Sequence, residues 1–169
     1  MSKVKRHIFI SYQHKDQMKA KGFHLLRWAK NVNVDFVGRH LLDPVKSTDE
    51  KYIKSEIKKQ IKGTSVTVVL TGKDTKKSKY QPFEIEQSLK KDKPNGILGI
   101  KLDKSVDLPK NSPVGQFLHD AGAEVIEWKP SKFADAIERA ALSAGRAEKI
   151  KRNPPGILPG RKQCIRCIR

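Results

Sequence analysis

The chain of 169 residues is short of several things. Its two cysteines, Cys164 and Cys167, both fall in the closing "CIRCIR". A single CxxC with no second Cys/His pair at finger spacing is not a complete zinc site, and two thiols make no secreted disulfide scaffold. They read as free thiols on a tail outside the folded pattern. Also missing is an apolar run of the ~20 residues that a membrane helix needs. The opening "MSKVKRHIFISYQHKD" is basic and then briefly apolar. Its apolar part is too short for a signal peptide and no small-residue cleavage site follows. It reads as a first strand, and the protein as cytosolic.

Glycine is absent where a dinucleotide fold would need it. A GxGxxG fingerprint should follow the first strand of a Rossmann dehydrogenase, and "SYQHKD" stands there instead, which argues against a hydride-transfer enzyme. No P-loop occurs. A phosphotransfer receiver needs an acidic pair after strand one and an aspartate ending strand three; Ser11-Tyr12 and Leu70-Thr71 hold those places. A flavodoxin needs a Ser/Thr-rich phosphate loop, which "YQHKD" does not provide. The five histidines (His7, His14, His24, His40 and His119) are scattered, and no metal site is expected from them.

Acidic residues are scarce as well: 18 against 36 lysines and arginines, a formal net charge of +18. Such an excess invites a nucleic-acid partner. Much of it, however, lies on helical segments such as "KSEIKKQIK", where lysine forms a solvated face. The denser stretch "RAEKIKRNPPGILPGRKQCIRCIR" is broken by proline and glycine. Nucleic acid therefore ranks last among the partners and a membrane is not expected; an anionic nucleotide ligand would be served by the same field.

What is present alternates. "HIFISY" (7–12), "VDFVG" (34–38), "SVTVVLTG" (65–72), "GILGIKLD" (96–103) and "AEVIEW" (123–128) read as strands. Helical patterns lie between them. "DQMKAKGFHLLRWAKN" counts Phe23, Leu26 and Trp28 among its apolar positions. In "EKYIKSEIKKQIKG", Ile53, Ile57 and Ile61 repeat every four residues, with Asp49 as N-cap and Gly63 as stop. "KKSKYQPFEIEQSLKK" buries Ile85 and Leu89. "NSPVGQFLHDAGA" runs from Pro113 to Gly122, and Ser131 caps "KFADAIERAALSAGRAEK". The fold class is α/β: a five-stranded parallel sheet, flavodoxin-like, with helices on both faces. Residues 1–150 form one domain and 151–169 a basic Pro/Gly-containing tail. Ligands bind such sheets at the carboxyl ends of the strands, where strand order reverses. The loops "YQHKD", "RHLLDPVKSTD" and "GKDTKKSKYQP" open on that edge, and Glu84 starts the helix beside it.

Together "HIFISYQHKD", "IKKQIKGTSVTVVLTGKDT", "YQPFEIEQSLKK" and "GILGIKLD" resemble a TIR-like domain, of the bacterial branch that includes the Thoeris antiphage B proteins. The resemblance runs from about His7 to Lys101. It implies cleavage of NAD+ between nicotinamide and ribose, giving an ADP-ribose-derived signalling nucleotide, cyclic or conjugated, that activates a downstream effector. NAD+ is then a substrate, no cofactor is implied, and self-association through TIR surfaces is expected. The family's catalytic glutamate lies four residues after a Trp-type aromatic, which here falls on Tyr80 and Glu84. Tyrosine departs from the usual tryptophan. Where relatives carry an acid just after strand two this chain has Gly38, with Asp43 the nearest acid.

Cleaving a ribosyl–nicotinamide bond builds positive charge on the sugar. The leaving group is neutral, so one carboxylate near the ribose suffices, and Glu84 is assigned that role. Its competing role is structural: with Gln81 as N-cap and Pro82 at N1, Glu84 stands at N3, where a carboxylate supports the helix start. Around it, Tyr80 stacks on nicotinamide or packs on the loop. Ser11 and Tyr12 end strand one, Tyr12 lining the pocket and Ser11 either there or only satisfying backbone at the strand end. His14 and Lys15 follow in a loop that is either simply solvated or brings a cation to the pyrophosphate. Asp43 and Ser47 lie in the loop after strand two, Asp43 as a ribose contact or as turn chemistry with Pro44. An NAD+-cleaving enzyme comes first among the functions, a non-catalytic TIR scaffold second and a basic nucleic-acid adaptor third.

Overall fold

The most apolar stretch of the chain forms the middle of a sheet. The structure is a computed structural model and describes residues 5–28, 36–39, 48–108 and 112–152. The strands are β1 (Arg6–Ser11), β2 (Phe36–Arg39), β3 (Val66–Thr71), β4 (Gly96–Lys101) and β5 (Glu124–Glu127), in the order β2-β1-β3-β4-β5. Every pairing is parallel, as in Ile8↔Gly38, Ser11↔Val69 and Leu70↔Ile100. All six residues of β3 are buried, as a strand covered on both faces requires. The order reverses between β1 and β3: the chain leaves β1 toward one side of the sheet and leaves β3 toward the other.

The helices are α1 (Gln17–Leu25), α2 (Glu50–Ile61), α3 (Gln81–Lys90), α4 (Pro113–Asp120) and α5 (Phe133–Arg152). On one face Ile8, Ile10, Val68, Leu98 and Ile100 pack with Phe23 of α1 and with Phe133, Ile137 and Ala140 of α5. On the other face Val69 and Ile97 meet Ile85, Val114 and Leu118, and Phe9 meets Ile57 and Ile61. The four-residue repeat of α2 thus buries Ile57 and Ile61 and half-buries Ile53. Asp49 caps it, its carboxylate accepting from the Lys51 and Tyr52 amides. Gly63 at φ 79° ends it, in the left-handed region that favours glycine.

Gly96 lets β4 and α5 touch. A Cβ there would lie 1.8 Å from the Ala140 carbonyl oxygen. One local expectation changes. The last helix is not capped by Ser131: Pro130 opens a 3-10 turn, Pro130–Lys132, that runs straight into α5. Trp28 is exposed. After α1 the chain tightens into a 3-10 turn, Leu26–Trp28, and the ring stays exposed with the Arg27 guanidinium 3.7 Å above it.

Candidate active site at the carboxyl edge of the sheet

Helix α3 begins directly after the loop that leaves β3. Tyr80 is its N-cap residue, without a side-chain cap bond, and Pro82 lies in the first turn. One face of α3 lies on the sheet, and the buried residues on it are Gln81, Glu84, Ile85 and Ser88. The spacing is that of a helical stripe, yet three of the four side chains are polar. Each therefore needs a partner in the interior.

Glu84 finds one. Ser11, the last residue of β1, is fully buried, and its Oγ donates to Glu84 Oε2 at 2.5 Å. The bond joins the end of β1 to the helix that follows β3, across the point where strand order reverses. Glu84 is 8% exposed. Burial pushes its carboxyl up from the ordinary 4.5 to about 7, while the Ser11 hydroxyl, which steadies the charged form, opposes the rise. A carboxyl so placed changes charge near neutral pH. Glu84 stands in the first turn of α3, where a carboxylate favours the helix dipole, but it does not reach back to the cap backbone. The Glu84 amide donates to the Tyr80 carbonyl at 2.9 Å in the ordinary helical ladder, and its carboxylate turns toward Ser11.

Gln81, which the sequence reading treated only as a cap, is part of the same arrangement. It is fully buried, and its Nε2 donates to the Leu70 carbonyl at 3.0 Å, tying the start of α3 to the end of β3. Its Oε1 is buried with no hydrogen-bond partner among the described residues, as is Asp16 Oδ2 nearby in the chain after β1. Gly72, just after β3, makes room for that aspartate: a Cβ there would lie 2.5 Å from Asp16 Oδ2. Burial and the neighbouring Asp74 push the Asp16 carboxyl up. The signal for Gln81 and Ser88 was available, since residues 81, 84, 85 and 88 share one helical face.

The other candidate residues separate. Tyr12 is half-buried against the cluster that contains Ile8 and Ile10, on the face of the sheet opposite Glu84. Tyr80 is half-buried against Phe9, Ile57 and Ile61, with Lys79 Nζ 5.5 Å from its ring centre. His14 and Lys15 are exposed in a 3-10 turn after β1, and Lys15 Nζ lies 3.3 Å from Asp74 Oδ2. Gly38 lies in β2, paired with Ile8. Asp43 and Ser47 lie outside the described residues, as do the two cysteines. Glu86 turns away from the sheet and meets Lys90 Nζ at 2.6 Å. Among the described residues no group of three or more His, Cys, Asp or Glu side chains could hold a metal ion. Nor is any described helix long and apolar enough to cross a membrane.

Residues 9–107, more than half of the chain, match the family described as Thoeris protein ThsB, TIR-like domain. No curated protein matches the chain. Among solved structures it is similar to the TIR domains of the activated Roq1 resistosome directly recognizing the pathogen effector XopQ, at 16% identity over 89% of this chain and 90% of that one, with a TM-score of 0.42. It is also similar to a diflavin flavoprotein A3 from Nostoc sp., at 12% identity over 90% of this chain and 96% of that one, with a TM-score of 0.38. A parallel α/β sheet, a buried glutamate at its switch point and the match over residues 9–107 lead to one conclusion: the chain belongs to the Thoeris ThsB TIR-like domain family.

Proposed function

We propose that the protein cleaves NAD+ at the bond between nicotinamide and ribose, with Glu84 as the essential carboxylate. The observation that carries this reading is the Glu84 carboxyl at the switch point, held by Ser11 Oγ at 2.5 Å and raised to about 7. As the glycosidic bond breaks, its electron pair stays with the nicotinamide nitrogen, which leaves neutral. The positive charge moves to the ribose ring. An ionised Glu84 in a poorly solvated setting stabilises that charge far more than it would in water. The sugar cation is then captured by water, by a nucleophile of the same molecule or by an acceptor. The last two routes give the cyclic or conjugated ADP-ribose forms that would signal to an effector in antiphage defence. Self-association through TIR surfaces belongs to the same reading.

A second reading, assembly without chemistry, has one observation in its favour. Tyr80, which stands where an aromatic would meet nicotinamide, is packed among Phe9, Ile57 and Ile61. The two part on a single measurement. Purified protein is incubated with NAD+ at high protein concentration and with phage-derived trigger, and products are followed by mass spectrometry. Nicotinamide release that disappears in Glu84→Gln supports the enzyme. NAD+ left intact by the parent protein, or consumed equally by parent and variant, sinks it.

A further inference from the structure

The amino-terminal edge of the sheet carries a second hollow, remote from Glu84. Its volume is about 740 Å³, within the roughly 300–1,000 Å³ of small-molecule sites. β1 has 6 residues, so the two edges are roughly 20 Å apart at about 3.3 Å per residue. Lys5 and Arg6 reach the hollow from the start of β1, Lys58 and Lys62 from the end of α2, and Lys91 and Lys93 from the link between α3 and β4. Seven of its fourteen lining residues are lysine or arginine, and Asp92 is the one acid.

These cations differ in what already holds them. Arg6 is paired with Glu138 at 2.9 Å and Lys90 with Glu86 at 2.6 Å. Lys58 and Lys93 are exposed and have no ion pair among the described residues. Lys91 is anchored but not neutralised. Its ammonium donates to the Thr64 carbonyl and, at 2.6 Å, to Asn95 Oδ1, both uncharged acceptors. Asn95 is itself fixed, its Nδ2 donating to Thr64 Oγ1 at 2.8 Å and to Thr67 Oγ1 at 2.9 Å. The wall therefore holds a positive charge already positioned by a buried network, and a ligand need not order it on binding. Burial pulls the Lys91 ammonium below its ordinary range, a cost that a bound anion would offset. Ile61 and the lysine stems add apolar wall beside the charge.

Several cations converging on one concave volume favour an anion with several charges on neighbouring oxygens. The volume exceeds a single phosphate, and the apolar wall suits an organic group. We propose that this hollow is a second binding site, for a small organic polyphosphate of the nucleoside di- or triphosphate class.

Titration calorimetry on the full chain tests it, with ATP, inorganic tripolyphosphate and a short single-stranded oligodeoxynucleotide as probes at near-physiological salt. ATP and tripolyphosphate should bind one per chain and compete. The double variant Lys58→Ala/Lys93→Ala should weaken both by about tenfold or more, as expected for the loss of charge-assisted contacts. Lys19→Ala/Lys21→Ala removes the same charge from exposed positions on α1 and should leave affinity within about twofold, because it touches only the general field. Glu84→Gln should leave it unchanged. ATP binding tighter than tripolyphosphate assigns the apolar wall to the nucleoside; equal binding assigns recognition to the phosphate chain. No binding of ATP, equal weakening by both double variants, or binding of the oligonucleotide without ATP overturns the proposal.

Discussion

The two ends of α3 bury polar groups in opposite ways. Toward its C-terminal end the network closes. Thr67 Oγ1 donates to Ser88 Oγ at 2.7 Å, and Ser88 Oγ donates to the Glu84 carbonyl at 2.8 Å. Asn95 joins Thr64, Thr67 and Lys91 through both atoms of its amide. At the N-terminal end the network stays open. Glu84 receives the Ser11 hydroxyl, while Gln81 Oε1 has no hydrogen-bond partner among the described residues. A buried polar group without its full set of partners costs stability. The closed end holds helix to sheet; the open end leaves one buried acceptor unspent on the helical face that carries Glu84. Unsatisfied interior groups gather at functional sites for this reason.

Substitutions at the two ends should separate chemistry from stability. The largest effect is expected at Glu84. Glu84→Gln should lower the rate of NAD+ cleavage by about 100- to 1,000-fold, the usual loss for one well-placed electrostatic group. Glu86→Gln, two residues on and paired only at the surface with Lys90, should leave the rate within about twofold. Initial rates of nicotinamide release measure both.

The next effect falls on stability, and its sign follows from the raised carboxyl. Glu84 titrates at about 7 when folded against an ordinary 4.5. Between those values the folded protein keeps a proton that the unfolded chain has released. This contribution is fully present below the unfolded value and is lost as pH rises through the folded one, by about 3 kcal/mol at alkaline pH. Urea unfolding across that range should show the loss in the parent and a flatter profile in Glu84→Gln. At alkaline pH the variant should be the more stable protein, so the group most needed for the proposed activity would be the one that weakens the fold.

At the closed end the reverse should hold. Asn95→Ala removes bonds to Thr64, Thr67 and Lys91 and should cost about 2–3 kcal/mol in urea unfolding, because three hydrogen bonds of a buried network are lost, although both hydroxyls and the ammonium keep their bonds to Ile61, Ser88 and the Thr64 carbonyl. Its rate per folded molecule should remain near the parent's. A large rate loss in Asn95→Ala at full folding would erase the distinction between the two ends.

The smallest effect is a shift in titration. Ser11→Ala removes the one bond among the described residues that steadies the ionised Glu84, so its carboxyl should rise further. The pH dependence of kcat/KM, expected to climb through about 7 as Glu84 ionises, should move to higher pH in this variant. An unmoved profile would detach Ser11 from the titrating group.

The strands and helices were legible because their signals are local. The run Val66–Leu70 reads as a strand buried on both faces, and the Ile53, Ile57, Ile61 repeat reads as one helical face; both lie where expected. Asp49 and Gly63 delimit α2 by ordinary cap and stop chemistry. Ser131 misled because Pro130 starts a turn one residue earlier.

Sequence alone settled the parallel α/β order and placed Ser11 and Glu84 on the same edge, because strand runs and crossover rules depend on near neighbours and on handedness. It could not decide that the hydroxyl of one meets the carboxylate of the other, that Tyr12 turns to the opposite face, or that Gln81 is buried with one acceptor unanswered. Those facts depend on which face of a strand and which stripe of a helix are pressed together by residues 73 positions apart. Only closure of the sheet brings them into contact, and the desolvation that lifts Glu84 exists only once they are there.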